Sequence, residues 1–262
     1  MISMKELLLN GSELTLKPEW SSLAPAGKPE RYPHLEVVEV PAVHNADIIY
    51  PRRYVGLKLA DKRIYSFVKR SLDIILSSIA LIALLPLFLI VTIAISIEDG
   101  GSPFFVQDRT GHGGKTFKMY KFRTMIKNAP QMHQQLLSQN EMDGPAFKMT
   151  NDPRVTKLGK ILRKHGIDEL PQLVNIIKGD MSIVGPRPLP VYEQDLCDEY
   201  QNQRLMVKPG LVCYWQSSPR KNTMPFDEWI ELDLRYITER SFLTDMKVIV
   251  STISSGVLEN NS

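Results

Sequence analysis

Apolar residues concentrate in one stretch: Ile74 to Ile97 runs for 24 positions without a charged residue. Roughly 20 apolar residues suffice for a bilayer-spanning helix. Apolar character on every face also argues against an ordinary surface helix. Pro86 lies near the middle, where it removes a helix hydrogen bond and kinks the axis. A break at Leu85–Pro86 leaves arms of about a dozen residues, each about 20 Å at ~1.5 Å per residue. Such an arm enters a bilayer without crossing it. Lys62, Arg63, Lys69 and Arg70 precede the stretch, and a basic cluster from Arg109 to Lys127 follows it. Basic flanks on both sides place both ends on the cytoplasmic face. A re-entrant helix hairpin is therefore preferred, with a straight crossing as the alternative. The backbone groups freed at the break need partners, such as Ser77, Ser78 or neighbouring helices.

Elsewhere the pattern is that of short elements. Residues 1–60 are broken by Pro18, Pro25, Pro29, Pro33, Pro41 and Pro51, with one alternating strand at 34–40. They read as an extension: surface-lying, partner-binding or partly disordered. After a turn at Gly100–Pro103, PFFVQ reads as a short strand. Asn151-Asp152-Pro153 signals a helix over Arg154–Lys164. Val155, Leu158, Ile161 and Leu162 take one face of it, while Arg154, Lys157, Lys160 and Lys164 lie largely opposite. Such a helix can lie in a membrane interface or be an ordinary surface helix. His165-Gly166 ends it, and Asp168 opens a second helix ending near Gly179. Residues 226–237 and 245–258 also read as helical. The expected fold is α-rich α+β. It comprises an extension (1–60), a re-entrant anchor (61–100) and a catalytic domain (101–262) with amphipathic interfacial helices and short strands.

Composition narrows this picture modestly. A chain of 262 residues, 43% hydrophobic, can bury a core without staples. Cys197 and Cys213 fit no metal spacing and are expected as free thiols. The N-terminus lacks the apolar core and small-residue site of a signal peptide. A net charge of +3 is too small to argue for nucleic acid. Its distribution says more: no acid occurs between Arg109 and Asn140, and Lys148 to Lys164 carries six cations interrupted only by Asp152.

The candidate chemistry lies just beyond. GHGGKT (111–116) ends like a P-loop, but Arg109 stands where the first glycine is required, so a tight turn presenting Lys115 is the better reading. Asp168 and Glu169 are adjacent acids. By residue type, Asp168 is a helix N-cap and Glu169 a first-turn acid. A second reading comes from their neighbours: Arg163 and Lys164 before, Lys178 and Arg187 after, with the glycine-proline turn 179–188 fixing Arg187. Arginines neutralise phosphate oxygens bidentately. A carboxylate beside them can attack phosphorus or hold Mg²⁺.

Several ordered blocks then carry a resemblance. They are KRSLD (69–73), the proline-broken apolar helix, residues 101–125 with KFRTM, residues 151–188 with IDELPQ and GPRP, VKPGLVCYWQ (207–216) and residues 232–249. In order and spacing they resemble the monotopic phosphoglycosyl transferases, bacterial enzymes that start glycoconjugate synthesis. The resemblance implies transfer of sugar-1-phosphate from a nucleotide sugar, usually a UDP-sugar, to undecaprenyl phosphate. It makes Asp168 the nucleophile of a covalent phosphosugar intermediate, with UMP released, and Glu169 its partner acid. Mg²⁺ is the implied cofactor, at Asp168 and Glu169. Arg163, Arg187 and Arg220 match phosphate- and nucleotide-binding arginines, and Lys121 and Arg123 lie in a block near the site. The family breaks its re-entrant helix at Ser-Pro; here the pair is Leu85–Pro86. SSPRKN (217–222) lacks the glycine that often precedes the arginine. The implied setting is the bacterial cytoplasmic membrane, catalytic domain inward, for the first membrane step of exopolysaccharide, capsule, O-antigen or glycoprotein glycan synthesis. Membrane lipid is a partner; a homodimer or downstream glycosyltransferases are further candidates. A catalytically silent scaffold and a nucleotide-sugar hydrolase remain alternatives.

Overall fold

The computed structural model describes residues 61–218 and 223–259, with Gly56, Leu57 and Leu59 ahead of them. The strand expected at 34–40 and Arg220 lie outside the described residues. The apolar stretch forms two helices, α1 (Arg63–Ala83) and α2 (Leu85–Asp99), bent by 60°. Among the described residues no single helix is long and apolar enough to cross a membrane; the bent pair together meets that length and composition. The bend falls at Leu84, one residue before the expected break. Leu85 and Pro86 sit in the first turn of α2, where proline's missing N–H costs nothing. Main-chain bonds from Leu84 N to Ala80 O and from Phe88 N to Leu84 O, both 2.9 Å, close the bend. Ser77, expected to serve it, does not: its Oγ is buried without a partner among the described residues.

Ile75, Ile79, Ile82, Leu89, Ile90 and Ile97 face outward from the bent pair. Its other side is tied to the rest of the chain. Asp73, buried in α1, accepts from Ile183 N at 3.0 Å. Arg70 donates to the Ile176 and Ile177 carbonyls, and Lys69 pairs with Asp245 at 2.8 Å. The basic flank thus anchors the helix to the protein.

Next comes an antiparallel hairpin, β1 (Phe104–Thr110) and β2 (Thr116–Phe122). Gly113 and Gly114 take positive φ in its turn, which favours glycine. After α3 (Ala129–Leu136), α4 covers Lys157–Lys164. It starts three residues later than expected. Asp152 is not a cap, because Arg154 holds its carboxylate at 2.7–3.2 Å. Thr156 caps instead, accepting from Gly159 N at 2.9 Å. Its apolar face is also narrower: Leu158 and Leu162 pack inward while Ile161 is exposed.

The single helix expected over 168–179 is two pieces. Gly166 (φ 66°) reverses the chain, Ile167–Glu169 makes one 3-10 turn, and α5 (Gln172–Lys178) follows Pro171. Asp168 therefore caps nothing; no side-chain cap bond forms there. Then follow β3 (Ser182–Val184), the short α6 (Val191–Gln194) and α7 (Glu199–Asn202), β4 (Gly210–Val212), α8 (Phe226–Glu239) and α9 (Phe242–Glu259). Strands β3 and β4 pair in parallel. Beyond them Gly185 and Gly210 pack backbone to backbone; a Cβ on Gly210 would lie 2.0 Å from Gly185 N.

Three apolar clusters fix this frame. Val91, Ile95, Phe122 and Leu162 join α2, β2 and α4. Met119, Leu173, Ile176 and Met181 join β2 to α5, with Leu81 and Leu84 of the bend against them. The largest centres on α8, whose Phe226, Trp229, Ile230, Leu234 and Ile237 recur at helical spacing. The turn carrying Asp168 and Glu169 is held between the first two.

Candidate active site

Strand alternation brings the first cation in. Successive side chains point to opposite faces, so Met119 and Lys121 share one face of β2. Met119 is buried against α5, and Lys121 follows it inward. Its Nζ reaches Glu169 Oε1 at 3.0 Å. The same oxygen accepts from Arg187 Nη2 at 2.8 Å. Gln216 Nε2 reaches the other oxygen, Oε2, at 3.3 Å. Glu169 is thus held from three sides, by β2, by the loop after β3 and by the loop after β4.

Asp168 is different. It is buried, yet its carboxylate accepts no hydrogen bond from the described residues. Lys121, Arg163 and Arg187 act on it only through their charges. Burial raises its pKa above the ordinary aspartate range; Lys121 pulls the other way and Glu169 adds to the rise. Burial also opposes ionisation of Glu169, but the charges and hydrogen bonds of Arg187 and Lys121 overcome it and hold its pKa well below the usual range. The pair therefore divides into a fixed, ionised acid and an unhindered one.

The other expected residues divide too. Arg163 Nε donates to Thr124 Oγ1 at 2.8 Å, which leaves its charge beside Asp168. Arg187 lies over the Trp215 ring, 5.6 Å from its centroid, and its carbonyl accepts from Arg204 Nη2 at 2.5 Å. Arg123 is elsewhere: it clasps Asp99 at 2.5 and 2.7 Å and Ser102 O at 2.6 Å, joining β2 to the end of α2. Its guanidinium belongs to the frame rather than to the acid pair.

Three contributors escaped the sequence reading. Trp215 and Gln216 follow β4 and reach the site through the β3–β4 pairing, while Arg204, in a 3-10 turn at Gln203–Met206, reaches it by its bond to the Arg187 carbonyl. Their one local signal was the VKPGLVCYWQ block, which ends in Trp215 and Gln216 and begins three residues after Arg204.

Mg²⁺ fits this donor set in one form. No group of three His, Cys, Asp or Glu side chains among the described residues could hold a metal by itself. Both Glu169 oxygens are engaged, and only the Asp168 carboxylate is open. A Mg²⁺ ion here would take most of its oxygens from substrate phosphates and water, as this cation commonly does.

A family model described as bacterial sugar transferase matches residues 64–259. The galactosyl transferase CpsE of Streptococcus agalactiae is 44% identical over 72% of this chain and 42% of its own length. The exopolysaccharide production protein ExoY of Sinorhizobium fredii is 42% identical over 74% of this chain and 87% of its own. The undecaprenyl-phosphate galactose phosphotransferase of Salmonella typhimurium is 37% identical over 73% and 40%. The chain belongs to the bacterial sugar transferase family. It spans less than half the length of the streptococcal and Salmonella relatives and most of the length of ExoY.

Proposed function

We propose that this protein transfers sugar-1-phosphate from a UDP-sugar to undecaprenyl phosphate through a covalent intermediate on Asp168. The observation that carries the reading is the contrast within the acid pair: a buried carboxylate with no hydrogen bond from the described residues, facing three cations, beside an acid pinned by Lys121, Arg187 and Gln216. A nucleophile needs an unengaged oxygen: both Glu169 oxygens accept hydrogen bonds, whereas neither Asp168 oxygen accepts one from the described residues.

In the first step an Asp168 oxygen attacks the sugar-bearing phosphorus. An acyl phosphate bond forms, the P–O bond to UMP breaks, and UMP leaves with the electron pair. In the second step an oxygen of undecaprenyl phosphate attacks the same phosphorus and releases the Asp168 carboxylate. Lys121, Arg163 and Arg187 offset charge on the phosphoryl oxygens, the usual contribution of fixed cations. Substrate-borne Mg²⁺ would withdraw further charge from the phosphates. Glu169 keeps Lys121 and Arg187 in place throughout.

The lipid acceptor sets the location. Its phosphate lies at headgroup level, so the acids belong at a membrane surface. The bent α1–α2 pair, with its outward apolar side chains, supports insertion from the cytoplasmic face into one leaflet.

The test uses purified protein in nanodiscs, undecaprenyl phosphate and a panel of UDP-galactose, UDP-glucose and UDP-N-acetylgalactosamine, with UMP detected. Transfer with at least one donor is expected. Without lipid, at most one UMP per chain should appear. Repeated UMP release without lipid identifies a hydrolase instead. Transfer at wild-type rate by Asp168→Asn removes the covalent mechanism.

A further inference from the structure

Arg109 is the cation that the proposed mechanism does not use. The β1–β2 register sets Arg109 opposite Phe117, Gln107 opposite Met119 and Phe105 opposite Lys121. Residues directly opposite in an antiparallel pair share a face, so Arg109 lies on the Lys121 side of the hairpin. It lines the same narrow cleft as Lys121, Glu169, Gln172 and Arg187.

Its guanidinium is held by neutral acceptors, and Glu193 and Glu169 act on it only through their charges. One Nη donates to Pro188 O and the other to Gln107 Oε1, each at 2.7 Å. Both acceptors are neutral, and no described carboxylate forms a salt bridge with it. Its Nε is buried without an acceptor among the described residues. Burial, and then the Arg187 charge, lower its pKa to about 10. A buried donor without an acceptor and a buried cation without a direct salt bridge are each unfavourable. Here both belong to one side chain at the edge of a site already richer in cations than in acids.

We propose that Arg109 is a further phosphate-binding residue, whose buried Nε–H and charge are satisfied by a diphosphate lying between it, Lys121 and Arg187. Resting on the transferase reading, this assigns Arg109 to the diphosphate of the nucleotide sugar. Four cations, Arg109, Lys121, Arg163 and Arg187, outnumber the three acids Asp168, Glu169 and Glu193 there, so an anionic diphosphate is favoured where a neutral sugar is not. Selectivity for a diphosphate over a monophosphate follows.

The test measures binding of inorganic pyrophosphate and of inorganic phosphate by calorimetry on the full chain in nanodiscs, with UDP-sugar kinetics alongside. Wild type should bind pyrophosphate more tightly than phosphate. Arg109→Gln should weaken pyrophosphate at least tenfold, bring the two affinities together and raise KM for the UDP-sugar more than it lowers kcat. Arg109→Lys, which keeps the charge but not the Nε–H, should fall between; it is also the fallback if the glutamine variant fails to fold. Gln107→Ala, which removes one anchor and no charge, should change pyrophosphate binding less than Arg109→Gln. Equal pyrophosphate affinity in wild type and both Arg109 variants overturns the proposal, as does a wild type that binds no pyrophosphate. Loss of pyrophosphate binding in Arg109→Gln, in a protein that transfers no phosphosugar, keeps Arg109 as an anion ligand and rejects the transferase reading alone.

Discussion

Two buried carboxylates, Glu169 and Asp233, are joined through Arg187 and behave in opposite ways. Glu169 accepts from the Arg187 side chain and from Lys121. Asp233 pairs with Arg204 at 2.5 Å, and Arg204 also donates to the Arg187 carbonyl. Asp233 and Arg204 are almost completely enclosed. With Arg204 its one bonded cation and Arg187 acting only through its charge, full burial pushes the Asp233 pKa up to about 6. With two cations against burial, Glu169 is driven far down. Arg204 stacks on Trp229, Trp229 on Trp215, and Trp215 under Arg187, so the closed pair braces the open one. The lesson concerns balance. A one-to-one ion pair serves as support, whereas an excess of cations leaves a field for an anionic substrate.

The comparison can be broken at several points. The largest effect should come from Asp168→Asn. Transfer should fall by about 10³-fold or more, as when a nucleophile is removed. Its melting temperature should stay level or rise, because a carboxylate that is costly to ionise in place is gone. Arg204→Met should destabilise the fold by about 3–5 kcal/mol, the usual cost of orphaning a buried charge. Chemical denaturation measures it, and KM should rise in the same variant as Arg187 loosens. An unchanged midpoint would show that the pair does not brace the site.

The pH dependence of stability should separate the two acids by sign. Asp233 binds its proton more readily folded than unfolded, so its contribution falls as pH rises from the ordinary aspartate range to about 6. Glu169 has a depressed folded pKa, so its contribution is full above the ordinary glutamate range and is lost as pH falls below it. Asp233→Asn should flatten the first slope, and Glu169→Gln the second, in melting curves across pH. The smallest effect is expected at Arg123. Arg123→Lys should cost about 1 kcal/mol by weakening the bidentate clasp on Asp99, and leave KM for the UDP-sugar unchanged. A large KM effect would return Arg123 to the substrate site.

How much of this was legible in the sequence depended on range. The apolar stretch, its proline bend and the helices of residues 226–237 and 245–258 follow from local periodicity. Asp168, Glu169, Lys121, Arg163 and Arg187 were found through ordered blocks, and the fold brings all five together. The helix expected from Arg154 starts at Lys157, because Arg154 turns back to hold the Asp152 carboxylate and Thr156 caps the helix instead. The cap at Asp168 was misread because Gly166 and Pro171 confine it to a separate turn. Arg109 looked like one member of a basic run; only the hairpin register, with β2 unread, sets it on the Lys121 face. Arg204 and Asp233 lie 29 residues apart and meet only in the tertiary fold.

The most direct test of the central claim is peptide mapping by mass spectrometry after mixing the protein with a UDP-sugar that it turns over, with no lipid acceptor present. A single phosphosugar adduct is predicted on the Asp168 carboxylate, discharged on adding undecaprenyl phosphate and absent from Asp168→Asn. An adduct on Glu169, or lipid product formed with no adduct trapped on either acid, would contradict the assignment.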